Sequence, residues 1–175
     1  MECALRTDGQ LSLENRLLNY TLHPKDPGLS IDFRGAVDER AASVLTELLA
    51  RLNAQDVVLN MQLVEYFNSL GIRAWAGFIK QLAPGRTLAY THCPPDFINQ
   101  INMMPLLAQS VSILSFAAEF ICPDCNHSQR ESFDATQSKA GILAAFEKVS
   151  CSHCAAGMFP DEDPETILYF KNPKI

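Results

Sequence analysis

The chain has 175 residues, 47% hydrophobic and 19% charged, which is the balance of a globular protein and far from that of a disordered one. That length holds one ordinary domain and a small appendage rather than two full-sized cores. With 14 Lys and Arg against 20 Asp and Glu the formal charge is −6, which argues against broad adhesion to nucleic acid or anionic lipid, since both need a basic face.

Glu2, Arg6, Thr7 and Asp8 precede any apolar run, unlike a signal peptide. The apolar stretch Val111–Ala118 is interrupted by Ser112 and Ser115 and falls short of the roughly 18 residues of a membrane span. Both features imply a cytoplasmic protein with no membrane span.

In chain order, residues 11–22 lead to Asp26-Pro27-Gly28, where proline pre-sets its φ and glycine accepts a positive one. Leu29, Ile31 and Phe33 then alternate with polar residues, and the whole predicts an N-terminal β-hairpin. Over Glu39–Leu52 the apolar residues Ala42, Leu45, Leu48, Leu49 and Leu52 recur at helical spacing, with Asp38 placed to cap the N-terminus. Asp56–Met61 predicts a short buried strand. Asn68-Ser69 is a capping pair for a second helix carrying Ile72, Trp75, Ile79 and Leu82, which Pro84-Gly85 ends. Arg86–His92 predicts another strand, Asp96–Met103 a third helix opened by Pro94-Pro95, and Val111–Ile121 an extended segment. The order β-β-α-β-α-β-α-β predicts an α/β (α+β) fold, a sheet packed with helices, whose core holds Leu45, Leu48, Val58, Leu59, Ile72 and Ile79. This domain is expected over residues 1–120, with a small appendage over 121–175.

The appendage carries Cys122-Pro123-Asp124-Cys125 and Cys151-Ser152-His153-Cys154, two C-x-x-C pairs with 25 residues between them. Two tight turns, each presenting two thiolates, satisfy tetrahedral zinc without a large core, and a doubled pair is a specific signal. Buried free thiols and redox sites are the competing readings. A thioredoxin-like site would need one pair to open a helix in a βαβ unit, which neither does. Four thiolates close the shell, so the site is read as structural Zn2+ held by Cys122, Cys125, Cys151 and Cys154, with His127 and His153 outside it. Asn126 suits the left-handed backbone that ends such a turn; Ala155 suits it less. The intervening span has room for a hairpin or for a short helix around Ala140–Phe146. From Ile121 onward eight acidic residues outnumber five basic ones, so this zinc ribbon is read as a protein contact or a stabiliser rather than a nucleic-acid binder.

Three segments then occur in order: Gly35-Ala36-Val37-Asp38, the strand Val57-Val58-Leu59-Asn60-Met61, and Val64-Glu65-Tyr66-Phe67-Asn68-Ser69-Leu70-Gly71-Ile72. Together with Thr91–Asp96 they resemble the STAS domain of anti-sigma factor antagonists over roughly residues 30–116. The resemblance implies a STAS-like mixed sheet, a non-enzymatic protein-interaction module of a bacterial signalling pathway, and a partner of the kinase/anti-sigma kind or another regulator. It places Ser69 at the family's phosphoacceptor and Gly71 at its glycine. Asn68 stands where the family has Asp, and Leu70 where it has a second hydroxyl. Asn68, Ser69, Leu70 and Gly71 become the candidate partner-binding residues. A phosphate on Ser69 would face the helix N-terminus and add charge to a docking surface; the competing reading is that Ser69 simply caps the helix.

A second functional reading is a ligand-binding or transport accessory protein, since STAS-like domains also serve transporters and lipid regulators. An exposed apolar patch beside Ser69 favours the first reading and an enclosed apolar cavity the second. Cys93 lacks an acid or base neighbour and reads as a buried thiol, Trp75 reads as core, and Met103-Met104 as filling at a helix end. No residue set points to catalysis.

Overall fold

The computed structural model describes residues 17–171. Residues 11–16 of the expected hairpin, the polar residues Glu2–Asp8, and Lys174 lie outside that range. Strand β1 (Asn19–Pro24) turns back on β2 (Leu29–Val37), in antiparallel register from Asn19 opposite Arg34 to Pro24 opposite Leu29. Gly28 in the turn has φ +107°, and a Cβ there would meet the Asp56 carbonyl oxygen at 2.5 Å.

From β2 the chain alternates helix and strand: α1 (Ala41–Arg51), β3 (Asp56–Phe67), α2 (Ser69–Leu82), β4 (Thr87–Thr91), α3 (Pro95–Met103) and β5 (Ser112–Ile113). The strands form one mixed sheet in the order β1-β2-β3-β4-β5, with β1 antiparallel and the rest parallel. Parallel neighbours need crossovers, which the helices supply. The expected fold class is the one observed.

Alternation decides what each strand buries. Ile31, Phe33, Val57, Leu59, Leu88 and Tyr90 join Leu45, Leu48, Ile72, Trp75 and Ile79 in one core. Trp75 anchors it, edge-on to Phe33 at 4.9 Å and donating its indole N–H to the Tyr90 hydroxyl at 3.0 Å. That hydroxyl in turn donates to the Leu107 carbonyl at 3.0 Å, so the polar atoms of these two rings are satisfied. Val58, expected in the core, is only half buried, because Val57 and Leu59 take the inward positions. The other face is polar: Asp32 accepts from Asn60 Nδ2 and meets His23 Nε2, both at 3.0 Å.

One helix start and one strand end differ from expectation. Helix α1 begins two residues later than expected, at Ala41, and Asp38 does not cap it. Asp38 instead accepts from the N–H of Arg40, two residues on, at 2.9 Å, and is gripped by the Arg40 guanidinium. Strand β3 runs 12 residues, past the expected end at Met61 to Phe67, because β2 stays beside it as far as Val37.

Beyond β5 the chain builds a second sheet from β6 (Ser115–Ile121), β7 (Ser128–Asp134) and β8 (Phe159–Pro160), ordered β7-β6-β8 and antiparallel. Helix α4 (Lys139–Phe146), capped by the Ser138 hydroxyl, and the short α5 (Pro164–Ile167) complete it. Phe116 and Phe120 of β6 meet Phe133 and Phe146 at ring distances of 5.4–6.4 Å. Buried side chains run without a break from these rings into the first sheet's core. Residue 120, expected as the domain boundary, lies within β6.

Candidate metal centre and docking loop

The two C-x-x-C segments fold into near-identical turns. In the first, Asn126 N–H donates to the Cys122 carbonyl at 2.9 Å and Cys122 N–H to the His127 carbonyl at 2.9 Å. In the second, Ala155 N–H donates to Cys151 O and Cys151 N–H to Ala156 O, each at 2.8 Å. Both turns close through a left-handed residue, Asn126 at φ +55° and Ala155 at φ +64°. Each turn thereby aims two thiols inward.

The four sulfurs lie within 4.8 Å of one another, with Cys122 Sγ 3.4 Å from Cys154 and Cys125 Sγ 3.7 Å from Cys151. A tetrahedral ion with metal–sulfur bonds of about 2.3 Å needs its sulfurs about 3.8 Å apart, so the four thiols are gathered near enough to hold a metal ion. Cys122 and Cys151 are buried while Cys154 is exposed, and all four are free thiols. Burial raises the Cys151 thiol, but backbone N–H groups of Cys154 and His153 and the adjoining thiols outweigh it and bring it down to about 7, while the same crowding pushes the Cys125 and Cys154 thiols up. A thiolate is the species a metal binds.

His127 and His153 stand beside the cluster, rings 6.0 Å apart, and belong to no metal-competent group among the described residues. His127 Nε2 meets the Ser152 hydroxyl at 3.2 Å. Gln129 of β7, unnoticed in the sequence, ties the second turn down: its amide donates to Ser150 O at 3.1 Å and accepts from Ser152 N–H at 2.9 Å. A glutamine in a polar strand carries no signal of such a role.

At the start of α2 the cap is Asn68, not Ser69. Asn68 Oδ1 accepts from Gly71 N–H at 2.8 Å, and its Nδ2 donates to Glu39 Oε2 at 2.8 Å. An ionised carboxylate at this position could accept from Gly71 but could not donate to Glu39, whereas the Asn68 amide does both. Backbone hydrogen bonding, with Asn68's help, holds the Glu39 carboxyl below its ordinary value. Ser69 is left exposed with no capping duty, between Tyr66 and Leu70, which are 54% and 53% exposed. Gly71, by contrast, is buried against Val37.

Elsewhere, Cys93 is fully buried and burial pushes its thiol far up, in keeping with an inert side chain. Met103 is 73% exposed and fills no gap, contrary to expectation. No helix among the described residues is long and apolar enough to cross a membrane.

No family model matches the chain, and no curated protein matches it. Among solved structures it is similar to the anti-sigma factor antagonist SpoIIAA in its unphosphorylated form, with 14% sequence identity and a TM-score of 0.39, over 54% of this chain and 87% of that chain.

Proposed function

We propose that the chain is a non-enzymatic, cytoplasmic protein-interaction module of a signalling pathway, docking through Asn68–Gly71 and stabilised by structural zinc on Cys122, Cys125, Cys151 and Cys154. The observation that carries the docking half is the division of labour at α2. Asn68 satisfies the helix N-terminus, so the Ser69 hydroxyl is free at the surface between two exposed apolar side chains. A hydroxyl so placed is a sensible phosphoacceptor, because a phosphate there adds about two negative charges at the partner's surface. The partner is a protein, of the kinase/anti-sigma kind or another regulator. Four thiols at tetrahedral spacing support zinc, whose role in a closed four-sulfur shell is to hold the two turns together rather than to activate water. The test compares wild-type and Ser69→Glu chains as bait in the native cell: a partner retained by the first and lost by the second supports the reading.

A further inference from the structure

Strand β3 outlasts its neighbour. Strand β4 pairs with it only from Asp56 to Asn60, whereas β2 stays beside it to Phe67. Over Met61–Phe67 the edge turned away from β2 faces no other strand among the described residues. The cause is the path taken after β4. His92 adopts φ +52°, a region that side-chain-bearing residues seldom use, and its N–H donates to Ser115 Oγ at 2.8 Å. Cys93 then joins β6, donating to Ser115 O at 3.1 Å and accepting from Ala117 N–H at 2.8 Å. The chain is drawn off to the second sheet, and a slot opens where β4 would have continued.

That slot is a cleft of about 360 Å³, walled on one side by Gln62, Leu63 and Glu65 of β3 and on the other by Pro94, Pro95 and Asp96. We propose that it binds a short extended segment of a partner polypeptide, which adds to the sheet as a strand beside Met61–Phe67. Within this stretch Gln62 N–H already donates to Asn60 Oδ1 at 3.1 Å; the remaining N–H and C=O groups on the edge without a strand neighbour are of the kind another extended backbone complements, about 4.8 Å away.

Charge sets the segment's chemistry. Glu65 and Asp96 stand on opposite walls without ion-pair partners among the described residues, while the nearby Arg130 is already held by Glu119 at 2.6 and 2.8 Å. A Lys or Arg of the segment fits between those carboxylates. Arg34, also without an ion-pair partner among the described residues, lies opposite Leu63 in the β2–β3 register and fits an acidic group about one pleat repeat away. Leu63, 44% exposed, takes an apolar neighbour.

The assignment deepens the reading of the chain as a protein-interaction module, giving its partner a conformation and a charge pattern. The experiment pans phage-displayed random peptides against the full chain. Enriched peptides are expected to alternate apolar residues around a Lys or Arg. Their affinity should fall at least about tenfold when alternate backbone amides are N-methylated, and as much on the Glu65→Lys chain. Failure of any peptide to enrich, tolerance of N-methylation, or equal binding to Glu65→Lys each overturns the slot. Peptides lost on Ser69→Glu but kept on Glu65→Lys also overturn it and leave the α2 loop standing. Peptides that bind the slot while the native partner ignores Ser69→Glu keep the slot and sink the loop.

Discussion

A Cβ on Gly71 would lie 1.8 Å from the carbonyl oxygen of Val37. The first turn of α2 is thus pressed onto the end of β2, where Asn68 N–H also donates to that carbonyl at 3.2 Å. Backbone cannot yield as a flexible side chain can. Gly71→Ala is therefore expected to destabilise the fold by at least about 3 kcal/mol, beyond the ordinary range for overpacking. Urea denaturation measures it. A loss under about 1 kcal/mol, no more than a routine substitution, would show that the helix does not start where described.

The metal centre makes the second prediction. The purified chain should carry about one zinc by elemental analysis, because four thiolates complete a tetrahedral shell. Cys122→Ser should lose both the metal and the order of residues 120–160, since metal binding and folding of such a site are coupled. Protein that is metal-free with Cys122–Cys154 and Cys125–Cys151 disulfides would contradict the assignment.

Ala155 makes the third. Its φ of +64° costs a residue with a Cβ about 1–2 kcal/mol, whereas glycine adopts it freely and gives back part of that in unfolded-state entropy. Ala155→Gly should thus bind zinc roughly two- to fivefold more tightly, an advantage of about 0.5–1 kcal/mol. Competition with a chromogenic chelator reads this directly, and weaker binding by the glycine variant would disprove strain in the turn.

The fourth prediction concerns pH. The Arg40 side chain, aided by the Arg40 backbone N–H, outweighs burial and holds the Asp38 carboxyl below the usual carboxylate range. A depressed acid contributes stability that is complete above its unfolded-state value and is lost as pH falls through the folded one. Wild type should exceed Asp38→Asn in stability at pH 7, and the gap should close as pH drops below about 4. Urea midpoints of both chains across that range check the sign, and a gap that widens on acidification would refute it.

What the sequence made legible follows physical lines. Helix α2 was readable to the residue, since Asn68, the apolar spacing and Pro84-Gly85 are local signals that the tertiary structure does not override. The two cysteine turns were readable for the same reason. The far half of β3 was not, because its exposed edge and two register shifts against β2 erase the period of two that marks a half-buried strand. Asp38 misled because a residue that closes a turn on the second N–H following resembles a helix cap in one dimension. The role of Ser69 was obscured by its neighbour: either residue could cap, and only the contact from Gly71 N–H to Asn68 Oδ1 tells which one does.

That contact shapes the last prediction. With Asn68 as the cap, Asn68→Ala should lower stability by about 1 kcal/mol. Ser69→Ala should change it by less than about 0.5, as exposed substitutions do. Ser69→Glu places a carboxylate at the first helical position, where the dipole favours it by about 0.3–1 kcal/mol, so the fold should be unharmed. The same charge stands between Tyr66 and Leu70, both more than half exposed, and must be stripped of water when a partner covers them. Ser69→Glu should therefore weaken partner binding while thermal unfolding stays level with wild type or rises by at most about 4 °C. Ser69→Ala should retain binding, which separates the effect of charge from that of the lost hydroxyl. The decisive measurement is the partner's dissociation constant for the three chains side by side. If Ser69→Glu binds as tightly as wild type, the apolar patch around α2 is not the interface, and a phosphate on Ser69 would have nothing to expel.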